Sequence, residues 1–385
     1  MPTSDVSISS KLPGVEQSIF SIMTALAVKH NAINLAQGFP DFNSPPKLIE
    51  YVHKYMQEGK NQYAPMPGVL SLREKIAAKT EKLYGAKYDP ETEITITAGA
   101  TQAIYTAISA IIKYKDEVII FEPAYDSYLP AILINKGSPK YVQLNAPDYK
   151  INWEQVKKLV NAKTRMIIIN SPHNPTGVTF TPEDMKQLEK IVANKDIIII
   201  SDEVYEHIVF DGRRHESVCR YPELAKRSFI VSSFGKTYHT TGWKTGYVLA
   251  PKAMTEEFRK VYSYAMFSAF TPVQFAYSDM LEDEEHYLGL NDFYQKKRDL
   301  FLKAISGTKF KPIACQGTYF LCVDYSAYSD EPDRQFAERI TKEVGVACIP
   351  TSVFYHNKVD QKIVRFCFAK NEETLLAAGE RLCKI

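Results

Sequence analysis

The sequence predicts an α/β protein: a large domain built on a mainly parallel, seven-stranded sheet covered by helices, followed by a smaller α+β domain. Three observations carry that expectation. Short runs rich in β-branched and aromatic residues recur between Glu93 and Pro251, namely EITIT, EVIIF, KYVQL, RMIIIN, IIIISD, SFIVSSF and GYVLAP. Helical stretches such as GATQAIYTAISAIIKY and TPEDMKQLEKIVANK separate several of them, the pattern of parallel strands joined by crossovers. Several of the runs are nearly all apolar, which fits burial on both faces. At 385 residues the chain is long enough for one large core and a second domain.

Taken in order, VEQSIFSIMTALAVK at 15–29 carries apolar side chains at helical spacing, and NAINLAQGFPDF then opens into an irregular segment fixed by Gly38 and Pro40. KLIEYVHKYMQEG and LSLREKIAAKTEKLYG read as helices stopped by Gly59 and Gly85, with NQYAPMPG an ordered loop between them. After the strand-rich region, FYQKKRDLFLKAI, QFAERITKEV and NEETLLAAGERL read as helices, and TYFLCVDY, GVACIP and KIVRFCFA as strands of a second sheet. Residues 1–44 are expected to pack on the small domain. The large domain then spans 45–284 and the small one 285–385.

Composition excludes several classes. Hydrophobic residues make up 45% and charged residues 24%, as in ordinary globular proteins. Forty-seven Lys and Arg against 45 Asp and Glu leave a net charge of +2, so no strong field favours nucleic acid. MPTSDVSISSK lacks the basic start and apolar run of a secretory signal, and no apolar stretch nears the roughly 18–20 residues that span a bilayer. The expectation is a cytoplasmic protein without a membrane partner. Its six cysteines show neither a CxxC pair nor metal-site spacing, so no metal is expected and the thiols read as buried small hydrophobes.

Three strand ends carry the residues with chemical meaning. Gly99, Ala100 and Thr101 fall where EITIT passes into a helix; such a turn either makes a tight connection or offers backbone N–H groups to a phosphate. Asp202 closes the apolar run IIIISD, where a carboxylate either caps a helix or pairs with a protonated pyridine nitrogen. Lys236 follows SFIVSSF among small residues, either as a surface lysine or as a buried amine whose lowered pKa permits Schiff-base chemistry. Arg365 interrupts the apolar strand IVRFCF and demands a buried carboxylate, from the protein or from a ligand.

NSPHNPTG at 170–177, SDEVYEHIVF at 201–210 and SSFGKTYHTTGWKTGY at 232–247 resemble the signature segments of class I aminotransferases, the fold type I pyridoxal-phosphate enzymes. The likeness runs on through NLAQGFPDF, NQYAPMPGV, TAGATQAI, EPAYDSY and IVRFCFAKNEETL, nearly the whole chain. Within the family the sequence looks most like bacterial methionine aminotransferases and the kynurenine and glutamine aminotransferases.

The resemblance implies pyridoxal 5'-phosphate as cofactor and a role for each matching residue. Lys236 would carry the cofactor as a Schiff base and, once displaced, act as base and acid at the substrate Cα. Asp202 would hold the ring nitrogen, Asn174 and Tyr205 the phenolic oxygen, and Tyr125 would stack on the ring. The phosphate would fall to Gly99, Ala100, Thr101, Ser233 and Lys244, with Tyr63 reaching in from the neighbouring subunit of a homodimer with shared active sites. Many relatives carry arginine where this chain has Lys244, which keeps the charge but gives up the bidentate fork. Arg365 would clamp the substrate carboxylate, helped by Asn174 and the Gly38 amide.

Phe39, Phe354 and Tyr355, with Tyr63 and Tyr125, lie in or beside segments that the resemblance brings to the site, and no second arginine stands out there. An apolar aromatic pocket suits methionine, phenylalanine, tyrosine or a glutamine-like L-amino acid as donor to a 2-oxo acid better than it suits aspartate. A cysteine-conjugate or cystathionine β-lyase shares the early steps and is the alternative. A DNA-binding regulator on the same body is disfavoured, since only a few dozen residues precede the active-site segments. The Glu122–Pro123 and Asn174–Pro175 bonds are expected to be cis.

Overall fold

The computed structural model describes residues 7–15 and 17–385. The expected opening helix runs from Ile19 to Lys29, so it starts four residues later than its apolar pattern suggested, and Glu16 lies outside the described residues, as do 1–6 of the N-terminal segment. After it comes β1 (Ile33–Asn34).

The main sheet has seven strands: β2 (Ile94–Thr97), β3 (Glu117–Glu122), β4 (Ser138–Gln143), β5 (Thr164–Asn170), β6 (Ile198–Asp202), β7 (Ser228–Ser233) and β8 (Gly246–Leu249). Their order is β2-β8-β7-β6-β5-β3-β4, with β8 alone running against its neighbours. The alternation of side chains along each strand explains the apolar runs. Ile119, Ile167, Ile169 and Ile199 face one helical layer together with Leu188 and Tyr277, whereas Val118, Ile120, Ile168 and Ile200 face the other with Ile104 and Ile108. All eight strand residues are buried, and each contributes about 1.5–3 kcal/mol of transfer free energy.

Four more strands, β9 (Lys311–Pro312), β10 (Phe320–Asp324), β12 (Ile349–Pro350) and β13 (Ile363–Cys367), form an antiparallel sheet in the order β12-β13-β10-β9, and β11 (Val346–Ala347) pairs in parallel with β1. The single strand expected over GVACIP is therefore two, broken at Cys348 because its halves serve different sheets. Met23, Ala27 and Leu35 from the N-terminal segment share one apolar cluster with Phe320, Leu321, Val364, Phe366 and Leu375. The helix after β3 is short, Tyr128–Ile134, since Pro123 and the turn after it occupy the earlier residues. Glu122–Pro123 and Asn174–Pro175 are cis, and so are Ala146–Pro147 and Ser171–Pro172. Among the described residues no helix is long and apolar enough to cross a membrane.

Candidate active site

The parallel strands deliver their C-terminal ends to one edge of the sheet, where ligands of open α/β sheets bind. There Asn170 ends β5, Asp202 ends β6 and Ser233 ends β7, and the helix Ala100–Ile111 begins beside them. A cavity of about 150 Å³ opens between these ends. Gly99, Ala100, Thr101, Tyr125, Asn174, Asp202, Tyr205, Ser233, Lys236 and Lys244 all line it, together with Asn170 and Thr245. Ten residues singled out in the sequence thus meet at one place, although they come from five separate segments.

One end of the cavity suits a phosphate. The first N–H groups of the helix Ala100–Ile111 have no partner within the helix, and its dipole favours an anion there. Gly99 enters with φ +84°, a backbone region that L side chains rarely adopt, and a Cβ on it would touch Lys244 Cε and Nζ at 3.5 and 3.6 Å. The lysine ammonium is therefore beside the turn. Gly246 is needed for a different reason, close approach: a Cβ there would stand 2.6 Å from the Ser232 carbonyl and 3.1 Å from the Ala100 nitrogen.

At the back of the cavity Asp202 is 4% exposed, and no helix begins at it, so the capping alternative falls away. Burial pushes its carboxyl up to about 6, against a hydrogen bond donated by the Tyr128 hydroxyl and the field of Lys236, both of which lower it. Lys236 sits in the wall on the short helix Phe234–Thr237. Its amine is pushed down to about 8 by burial. Nζ donates to the Tyr319 hydroxyl at 2.7 Å and stands 5.5 Å from the centre of the Tyr205 ring. The surface-lysine alternative is excluded by this environment.

Arg365 adjoins the cavity through Asn174 rather than lining it. Its Nη1 donates to Asn174 Oδ1 at 2.8 Å, Nη2 donates to the Ala36 carbonyl at 3.3 Å, and Nε has no partner among the described residues. The guanidinium lies 3.8 Å over the Phe320 ring, with Phe20 and Phe354 at 5.3 and 5.5 Å. It is fully buried and forms no ion pair among the described residues, while Asp126 feels its field without an ion-pair contact. Burial lowers its basicity. Of the two partners that the sequence allowed, a protein carboxylate is thus missing and a ligand carboxylate fits.

Tyr63, expected to serve the neighbouring subunit, is 82% exposed, touches Phe267 and does not line the cavity of its own chain. Other expected residues are not brought together. Phe39 is half exposed with Lys370 over its ring, and Gly38 engages the site through its carbonyl, which accepts from Tyr319. Tyr355 is a packing residue whose hydroxyl donates to the Leu144 carbonyl, so its expected place in the pocket is corrected. Tyr128, Asn170, Tyr319, Phe20 and Phe320 were missed. Tyr128 stood in the EPAYDSY segment, yet nothing in the sequence distinguishes it among 24 tyrosines.

Residues 30–382 match the family model described as aminotransferase class I and II. The chain belongs to this family. Such aminotransferases move an amino group between an amino acid and a 2-oxo acid, use pyridoxal phosphate and are typically dimeric. This aminotransferase is 50% identical over 374 residues to methionine aminotransferase of Escherichia coli K12, covering 97% of each chain. It is 33% identical to kynurenine–oxoglutarate transaminase of Dictyostelium discoideum, covering 96% of this chain and 94% of the relative. A crystal structure of YbdL from Escherichia coli, identified as having a methionine aminotransferase function, superposes with a TM-score of 0.97 at 49% identity, over 99% of this chain and all of that one.

Proposed function

We propose that this aminotransferase holds pyridoxal 5'-phosphate in the cavity and transaminates a hydrophobic or aromatic L-amino acid, methionine foremost, with a 2-oxo acid in a ping-pong cycle. The observation that carries the reading is that the Lys236 amine and the Asp202 carboxylate line one cavity together with a helix N-terminus that has a lysine beside it. These donors match the cofactor group by group: an amine for its aldehyde, a carboxylate for its ring nitrogen, and amides, hydroxyls and a cation for its phosphate.

The bound cofactor supplies a carbonyl for the amino group and a cationic ring that accepts electrons from Cα. The rest is the work of the chain. Asp202, ionised above about 6, keeps the ring nitrogen protonated. Tyr205 and Asn174 would hold the phenolic oxygen, and Tyr125, hydrogen-bonded to Thr101 at 3.3 Å, would cover the ring. Arg365, with no ion-pair partner among the described residues and its Nε unpaired, would take the substrate carboxylate and so fix the Cα–H bond toward Lys236. The Lys236 amine, pushed down to about 8, would be the group that takes the proton from the substrate Cα and holds it for return.

Substrate class rests on two supports. The chain is similar throughout to a methionine aminotransferase, and no arginine lines the cavity to pair a distal carboxylate. By the same reading 17–44 and 285–385 make one small domain, joined by the cluster of Met23, Leu35, Phe320 and Val364, that covers the site carried by 45–284. It also takes the enzyme as a homodimer, because Tyr63 and the Phe267 ring it meets edge-on are both exposed and Tyr63 of the partner subunit would then reach the phosphate.

The test is a panel of half-reactions with the cofactor-loaded protein, following the visible absorbance. Methionine and phenylalanine are expected to bleach it far faster than aspartate; the reverse order, or release of ammonia from a cysteine conjugate without use of an oxo acid, would sink the reading.

A further inference from the structure

The side chain that receives the Lys236 amine comes from outside the main sheet. Nζ donates to the Tyr319 hydroxyl at 2.7 Å, and that hydroxyl donates to the Gly38 carbonyl at 2.6 Å. A phenol has one hydrogen to give. Because Tyr319 spends it on Gly38, only lone pairs face the amine, and the contact runs one way. The Gly38 carbonyl takes a second, longer contact from Nζ at 3.4 Å.

Neither acceptor is free to drift. Tyr319 is 1% exposed, edge-on to Tyr205 at 5.1 Å and to Phe320 at 4.9 Å, and its carbonyl accepts from the Phe368 N–H at 3.0 Å. Gly38 is fitted as closely, since a Cβ there would stand 2.9 Å from Phe320 Cζ. Burial raises the Tyr319 phenol well above its ordinary value. It therefore stays protonated across the working range and cannot take the proton of the amine; it can only orient it.

The geometry points to Tyr319 as a positioning residue for Lys236, receiving the ε-amine whenever that amine is not bonded to the cofactor and holding it within reach of the substrate Cα. The inference rests on the cofactor reading above. Lys236 follows β7, whereas Tyr319 immediately precedes β10 and Gly38 follows the N-terminal helix, so this contact joins the two apolar assemblies of the molecule. An acceptor favours the ammonium over the neutral amine, so Tyr319 offsets part of the depression that burial imposes on Lys236.

Tyr319→Phe keeps the ring and removes the acceptor. The rate at which the cofactor-free protein condenses with pyridoxal 5'-phosphate, measured against pH, reads the amine directly: a midpoint near 8 is expected for the wild type, and one lower by about one unit for Y319F. In turnover, Y319F should lose about 10- to 100-fold in kcat with KM for methionine within about threefold, because the carboxylate contact is untouched. An unshifted midpoint overturns the inference. A crystal structure of the wild-type enzyme with pyridoxamine 5'-phosphate tests it without relying on the variant: Nζ against the Tyr319 oxygen supports it, and Nζ turned elsewhere overturns it. A wild-type protein that takes up no pyridoxal phosphate overturns both readings, whereas one that does, with Y319F unshifted, overturns this one alone.

Discussion

Replacing Arg365 with methionine separates a substrate clamp from a structural cation. In the folded protein the guanidinium makes two hydrogen bonds, to Asn174 and to the Ala36 carbonyl, worth about 1 kcal/mol each. Its stacking on Phe320 at 3.8 Å adds about 1–2 kcal/mol. Against these stands the cost of burying a cation without an ion-pair partner, several kcal/mol even after relaxation. The terms nearly cancel, so Arg365→Met is expected to unfold within about 2 kcal/mol of the wild type. Its effect on the reaction should be far larger. Losing a buried charge-assisted contact with the substrate carboxylate costs about 3–5 kcal/mol, or roughly 10²- to 5 × 10³-fold in kcat/KM. Denaturant unfolding and steady-state kinetics with methionine check the two halves. A variant that loses most of its stability while kcat/KM barely moves would refute the reasoning and make Arg365 a packing residue.

Three further outcomes follow from the site. Tyr128→Phe removes the hydroxyl that lowers the Asp202 pKa, so the carboxyl should rise above about 6, weakening pyridoxal-phosphate binding about tenfold at pH 7 and recovering toward pH 9, as titration of the visible absorbance would report. In the cofactor-free protein Asp202 has a folded pKa above its ordinary 3.8, so the folded state holds the extra proton between about 4 and 6 and stability falls as pH rises through that window; relative to Asp202→Asn, the wild type should lose on the order of 3 kcal/mol there and nothing more above it, measured by urea unfolding against pH. Gly246→Ala drives a methyl into the Ser232 carbonyl and the Ala100 nitrogen, and is expected to cost about 1–3 kcal/mol of stability and to weaken phosphate binding, read by thermal melts with and without pyridoxal phosphate.

Much of this architecture is legible in the chain because local and global signals agree. The alternation that makes Ile198, Ile199 and Ile200 all apolar is the mark of a strand covered on both faces, and the turn residues after β2, β6 and β7 are where the cavity lies. What escaped is set by pairing at a distance. GVACIP is split because its two halves join different sheets, a fact about their partners, β1 near the start of the chain for one half and β13 for the other. Tyr128 and Tyr319 acquire meaning only when folding aims one hydroxyl at Asp202 and the other at Lys236, and no spacing along the chain announces either contact. Tyr355 failed in the opposite sense: it neighbours Phe354 in sequence, but its hydroxyl is spent on Leu144.

The account stands on Lys236 being the residue that bonds the cofactor. Borohydride reduction of the protein incubated with pyridoxal 5'-phosphate, followed by peptide mass analysis, tests this most directly. The predicted result is a single stable adduct on the peptide containing Lys236, absent in Lys236→Ala; an adduct on other lysines with Lys236 unmodified, or no adduct at all in a folded protein, would contradict it.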